Sequence, residues 1–304
     1  MSSPSPVTIV IPVYNRAHTL PRLLQSIDAQ TLAPAAVVLV DNASTDTSLS
    51  VLREWAETHS HAKVVTEKRP GASAARNRGL REVTTEWTMF FDSDDEMLPT
   101  HIADITRAIS IHKDADIIGR DIITRHDGRD SRKPFTTSSP LFNQLFHSIL
   151  STQRYVAKTE LFRNVGGWNE SLKGWNDLEL GVRLLLTSPT LASAGGPPSV
   201  IVHFQKESIT GTNFTQGRGI WEAAIEAIRS HLATAGHTTA LAWLDTLAVM
   251  LAATYHREGS GEAARALLHQ TLSTTPYPRR MKVLYLYHRL AGRLTWALAK
   301  IFFR

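Results

Sequence analysis

The chain has 304 residues, 42% hydrophobic and 20% charged, with 17 Gly, 14 Pro and no Cys. This composition excludes wholesale disorder and collagen-like order, and the lack of cysteine excludes a disulfide scaffold, a thiolate-ligated zinc site and thiol chemistry. The net charge of +5 is unevenly placed: after Glu262 there are eight Lys and Arg and no acid, so residues 1–262 carry −3, a balance that argues against a nucleic-acid partner.

Val7–Val13 (VTIVIPV) is β-branched and apolar throughout, as expected of a strand covered on both faces. Thr19 is placed to cap the helix that follows, with Pro21 in its first turn. Ala36–Val40 reads as a second buried strand ending at Asp41, followed by a helix from about Asp46–Ser48 to Glu57 and a short strand at Val64–Thr66. A helix over Ser73–Val83 and a buried strand at Trp87–Phe91 complete a β-α-β-α-β-α-β order, which predicts a mostly parallel α/β sheet flanked by helices. Further on, Asp116–Gly119 and Val200–Phe204 read as strands, 120–140 as a loop or exposed hairpin and Leu178–Leu186 as a helix. From Ile220 the chain turns Ala/Leu-rich, with helices expected near 220–234, 239–257, 261–272 and 281–303. The expected division is therefore 1–212 and 213–304. Residues 1–6 hold no Lys or Arg, Pro12 interrupts the first apolar run, and no window reaches the ~18 uncharged apolar residues of a spanning helix, so a cytoplasmic protein is expected.

In open α/β sheets ligands bind beyond the carboxyl ends of the strands, near the switch in strand order. Here those ends carry Tyr14-Asn15-Arg16, Asp41-Asn42 and Asp92-Ser93-Asp94-Asp95. Three carboxylates within four residues repel one another unless a cation sits among them, and Mg²⁺ or Mn²⁺ is commonly held by one or two carboxylates together with substrate phosphates. A solvated turn capping the next helix is the structural alternative.

VTIVIPVYNR, VVLVDNASTDTS, RPGASAARNRGL and FFDSDDEMLP, in this order, together resemble glycosyltransferase family 2, over roughly residues 6–212. The resemblance implies a GT-A fold, a nucleotide-sugar donor, typically UDP-linked, and inverting transfer to a glycan or lipid-linked acceptor. It implies that Pro12, Val13 and Tyr14 line the base pocket, that Asp41 bonds the base, and that Gly71, Arg76 and Asn77 lie beside base and ribose. Asp92, with Ser93, would meet the donor, and Asp94 would ligate the metal, with His203 as a further ligand. Asp177 matches the family's catalytic base, but Asn176 stands where a Glu often precedes it; Glu179 is the competing base. Trp168 and Trp175 would form an apolar platform for a sugar. Structural alternatives stand beside these: caps and turns for Asp41 and Asp177, a surface cation for Arg76, core packing for Tyr14 and the tryptophans, and a plain structural histidine for His203. Two other functions stay open, a catalytically silent sugar-binding or scaffolding subunit and a nucleotidyltransferase, although the latter's glycine-rich phosphate loop is missing from YNRAHTLPR.

In the tail, Lys282, Arg289, Arg293, Lys300 and Arg304 are spaced 7, 4, 7 and 4 apart. On one continuous helix they fall within about 60° of one another. Such a helix over 281–303 either lies on an anionic membrane surface, at the inner face of the membrane, or packs its apolar side on the domain.

Overall fold

The computed structural model describes residues 5–204, 213–291 and 295–303. In chain order its elements begin with β1 (Val7–Val13), α1 (Leu20–Asp28), β2 (Ala36–Asp41), α2 (Ser48–Glu57), β3 (Ala62–Thr66), α3 (Ala72–Leu80) and β4 (Trp87–Phe90). Next come β5 (Glu96–Met97), α4 (His101–Ile111), β6 (Ile117–Gly119), β7 (Ile122–His126), β8 (Arg129–Lys133), α5 (Pro140–His147), β9 (Tyr155–Lys158) and α6 (Thr159–Asn164). The remainder are α7 (Asn176–Leu186), β10 (Leu191–Ser193), β11 (Val200–His203), α8 (Ile220–Thr234), α9 (Thr238–Arg257), α10 (Gly261–Thr274), α11 (Pro278–Ala291) and α12 (Thr295–Phe302).

These elements form two compact units. The first comprises Met1–Ser138, Ile149–Ser171 and Thr187–Phe204; the second comprises Ser139–Ser148, Leu172–Leu186 and Gln205–Arg304. The division is not a single cut near 212, because α5 and α7 lend their apolar sides to the helical unit: Leu145, Leu178 and Val182 are buried in one cluster with Trp221, Ile225 and Leu244.

In the first unit a seven-stranded sheet runs β10-β6-β9-β4-β1-β2-β3. β1 pairs in parallel with β2 and with β4, so the strand order reverses at β1 and the loops after β1, β2 and β4 share one sheet edge. Val7, Ile9, Val10 and Ile11 are fully buried, which is why the strand reads as an unbroken apolar run. β9, in a stretch where no strand was expected, pairs antiparallel with both β4 and β6. A second sheet, β5-β11-β7-β8, contains the hairpin expected within 120–140.

Two local expectations change. Thr19 stands at the N-cap position of α1 but makes no side-chain cap bond; its hydroxyl is shared between the carbonyls of Arg16 (3.2 Å) and Ser93 (3.0 Å), fastening the acidic loop. The single helix expected over 281–303 is two, because the chain folds back: Arg280 Nη1 donates to the carbonyl of Phe302 (2.7 Å), and His288 Nδ1 shares a hydrogen bond with Thr295 Oγ1 (2.8 Å). Lys282 and Arg289 lie on α11 and Lys300 on α12, so no continuous cationic stripe forms; Arg293 and Arg304 lie outside the described residues. α9 is long and apolar enough to cross a membrane, but 61% of its apolar window is buried within the protein, as in a core helix.

Candidate functional site

The loops after β1 and β2 are stitched together by short polar side chains. Asn15, at a left-handed φ of 50°, accepts at Oδ1 from the backbone N–H of Thr45 (2.8 Å), while its own N–H donates to Ser44 Oγ (3.1 Å). Ser48 Oγ accepts from the N–H of Arg16 (2.8 Å), and Asp46, two residues before α2, accepts from the N–H of Ser48 (2.9 Å). Above this frame Tyr14 is 56% exposed; Pro12 is half-buried and Val13 buried behind it. Asp41 ends β2 at 3% exposure, and its carboxylate has one hydrogen bond among the described residues, a long one from Ser44 N–H (3.4 Å). A buried acceptor so weakly matched is suited to an external donor.

Asn42, which the sequence reading did not single out, organises the next loop. Its Nδ2 donates to the carbonyls of Glu67 (2.9 Å) and Arg69 (2.7 Å), and its Oδ1 accepts from Gly71 N–H (2.9 Å). Gly71 sits at φ 119°, open to glycine and strained for other residues. The only signal available for Asn42 was its place directly after the strand-ending Asp41.

α3 then brings Arg76 and Asn77 forward. Arg76 is 5% exposed; its guanidinium lies 4.3 Å over the Trp168 ring and its Nη2 donates to Asp92 Oδ1 at 2.6 Å. Its Nε and Nη1 are buried without a hydrogen-bond partner. Asn77 does not reach outward: its Nδ2 donates to the Trp168 carbonyl (2.8 Å) and Glu170 Oε1 (2.9 Å), and its Oδ1 accepts from Trp168 N–H (2.8 Å). A Cβ on Gly167, at φ 71°, would stand 2.5 Å from that oxygen, so the approach requires glycine. Trp168 is 2% exposed, covered by Arg76 on its face and by Phe90 edge-on (5.1 Å, 86°), which leaves no open ring for a sugar. It is a floor for Arg76.

The acidic loop divides its labour. Asp95 is buried and turned toward β11, accepting from His203 N–H (2.9 Å) and from the Gln153 amide. Burial, with Asp92 and Asp94 adding repulsion, raises its carboxyl well above the usual range. Asp94 is raised by burial first and by Asp92 second, with Arg16 (3.8 Å) a loose counter-charge. Ser93 is buried between them. His203 Nε2 pairs with Glu96 Oε2 at 3.2 Å, and burial lowers its pKa. Among the described residues no group of three or more His, Asp and Glu is arranged to hold an ion. The donor set fits an ion shared with a ligand's phosphates and held by one or two carboxylates, and does not fit an all-protein cage.

In the helical unit, Asp177 lies in the first turn of α7, half-buried, its Oδ1 accepting from Leu178 N–H (2.8 Å). Asn176 Oδ1 accepts from Asp177 N–H at 3.0 Å. Glu179 points the other way, as two residues on a helix must. It is fully buried, bound by Arg183 through Nε (2.7 Å) and Nη2 (2.8 Å) and by His231 Nε2 (3.0 Å). Trp175, at φ 51°, is partly exposed and packs 5.3 Å from Trp221.

Residues 8–165 match the profile described as "Glycosyl transferase family 2". An uncharacterized glycosyltransferase, YibD, of Escherichia coli K12 is 32% identical over 100 residues, spanning 33% of this chain and 29% of that protein. The fold is similar to that of S. aureus TarS 1–349 in complex with UDP-GlcNAc, at a TM-score of 0.69 and 18% identity, covering 97% of this chain and 90% of that one. It is also similar to the mannosyltransferase PcManGT from Pyrobaculum calidifontis in complex with GDP-Man and Mn²⁺, at a TM-score of 0.52 and 20% identity, covering 96% and 89%. With the β1–β4 order, the reversal at β1 and the matched profile in place, the chain belongs to glycosyl transferase family 2 and has the GT-A fold with a helical C-terminal region.

Proposed function

We propose that this protein transfers a sugar, with inversion, from a UDP-linked donor to a hydroxyl of a glycan or lipid-linked acceptor. The observation that carries the reading is the cluster beyond β1, β2 and β4: a buried, poorly matched Asp41, the Arg76–Asp92 pair, and a largely buried Asp94 that feels the charge of Asp92. Family membership supports the reaction type, and the UDP-GlcNAc held by TarS and the GDP-Man and Mn²⁺ held by PcManGT support a nucleotide-sugar donor and a divalent ion.

In this reading Asp41 accepts the N–H of the base, and the exposed Tyr14 ring stacks on it, with Pro12, Val13 and Gly71 shaping the pocket. Asp92, oriented by Arg76, accepts a ribose hydroxyl, with Ser93 beside it. Asn77 acts at one remove, holding the 168–170 loop under Arg76. Asp94, with Asp92, would hold Mn²⁺ or Mg²⁺, whose contribution is to offset negative charge on the departing diphosphate. Arg16 lends further positive charge beside Asp94.

Inversion is one displacement: the bond from the anomeric carbon to the acceptor oxygen forms as its bond to the diphosphate oxygen breaks, and the acceptor proton leaves to a base. Asp177 takes that proton, and Trp175 offers the acceptor an apolar face. Glu179 is not the base, since its carboxylate is shut away with Arg183 and His231.

The test is a donor screen that follows nucleoside diphosphate release with Mn²⁺ or Mg²⁺. Asp177→Asn is expected to lower kcat about 10²- to 10⁴-fold, and Asp94→Ala to lower turnover by at least about 10²-fold. Unchanged turnover in both variants would overturn these assignments. UDP binding without transfer to any acceptor would instead favour a silent subunit.

A further inference from the structure

Five of the eight large hydrophobic side chains exposed among the described residues lie between Tyr277 and Ile301. Three of them share α11: Val283 (54% exposed), Leu286 (48%) and Leu290 (81%). At about 100° per residue they occupy an arc of about 60°. Lys282 and Arg289 border that arc on one side, and Arg279 continues its line toward the start of the helix.

This outward stripe is not a core face awaiting a neighbour. The opposite side of α11 is already packed: Met281, Leu284, Tyr285 and His288 are buried in the helical unit. The helix is also pinned at its far end, where Arg257 Nη1 donates to the His288 carbonyl (2.8 Å) and His288 bonds Thr295. A solvent-facing row of aliphatics on a fixed helix calls for an occupant.

We propose that this face of α11 lies on a lipid bilayer carrying anionic headgroups. Aliphatic side chains would enter the headgroup boundary while Arg279, Lys282 and Arg289 meet the anions, the arrangement of an interfacial amphipathic helix. Charge complementarity favours this over a second copy of the chain. A two-fold contact would set the same cations against one another, and no Asp or Glu follows Glu262 to pair with them. The inference concerns binding alone and stands whether or not the catalytic reading holds.

The experiment is co-sedimentation of the full chain with vesicles of phosphatidylcholine alone or mixed with phosphatidylglycerol. Sedimentation velocity and thermal unfolding of the same samples accompany it. The anionic vesicles are expected to bind at least about tenfold more tightly than the neutral ones, and high salt to remove the difference. Leu286→Ser with Leu290→Ser should weaken binding about tenfold or more with an unchanged melting temperature, as befits exposed positions. Lys282→Gln with Arg289→Gln should erase the preference for anionic lipid. Absence of binding to either vesicle, equal binding by wild type and the Leu variant, or a dimer that the Leu variant dissolves would each overturn the proposal, the last in favour of self-association.

Discussion

At the scale of single residues, two carboxylates two positions apart on α7 have opposite surroundings and so opposite consequences when neutralised. Asp177 sits half-buried at the helix start, where the backbone N–H groups favour its charge, and its loss should appear in kcat. Glu179 is sealed against Arg183 and His231, and Glu179→Gln leaves them facing a neutral amide. That variant should lose on the order of 3 kcal/mol of stability, read by urea denaturation, with a near-normal KM for donor in the folded fraction. A stable Glu179→Gln with collapsed kcat would reverse the two roles. The sequence offered both residues as candidates because residue type and spacing are alike for both; what separates them is His231, 52 residues away on α8, which no local pattern could supply.

Among elements, α3 and the 166–171 loop depend on each other. Asn77→Ala removes three hydrogen bonds at once, and Gly167→Ala places a methyl against the Asn77 oxygen at a φ unfavourable to alanine. Each should cost about 1–3 kcal/mol by denaturant unfolding and raise the KM for donor, because Trp168 no longer holds Arg76 level. An unchanged KM in a destabilised Gly167→Ala would show that the loop only supports the fold.

α4 supplies a pH signature. His101 is fully buried beside the Arg120 cation, and burial first, with that cation, lowers its pKa to about 3. The native state keeps this imidazole neutral while the unfolded chain takes a proton below about pH 6.5, so stability falls as pH drops from about 6.5 toward 3. The slope is about 1.4 kcal/mol per pH unit. Between pH 7 and pH 5 the wild type should therefore lose about 2 kcal/mol more than His101→Gln. Equal losses would show that His101 is protonated in the native state.

The elements themselves were unevenly legible. β1, β2 and β4 announce themselves as apolar runs because both faces of the sheet are covered, and α8 to α10 by their Ala/Leu character. β9, α5 and α6 did not. β9 is four residues long and its pairing is antiparallel to strands 68 and 39 residues earlier, a tertiary relation that its own composition does not encode. The break between α11 and α12 was hidden because 281–303 keeps helical composition throughout, while the reversal is secured by Arg280 and His288.

For the molecule as a whole, the candidate residues differ in how directly the sequence pointed to them. Tyr14, Asp41, Asp92 and Asp94 stand at or just beyond the ends of β1, β2 and β4, where such a sheet binds ligands, whereas Arg76, on α3, was offered by the family resemblance alone; the donor-binding roles of all five belong to the proposal. Trp168 packs under Arg76 and His203 pairs with Glu96, and neither partner is near in sequence, so no local pattern could reveal these contacts. The central claim is that the Asp92–Asp94 corner holds a divalent ion together with the donor's diphosphate. Titration calorimetry of UDP into the apoprotein and the Mn²⁺-supplemented protein, for wild type and Asp94→Ala, tests it without an acceptor. The account predicts that Mn²⁺ tightens UDP binding at least about tenfold in wild type and leaves Asp94→Ala unaffected. Equal tightening in both proteins, or none in the wild type, would contradict it.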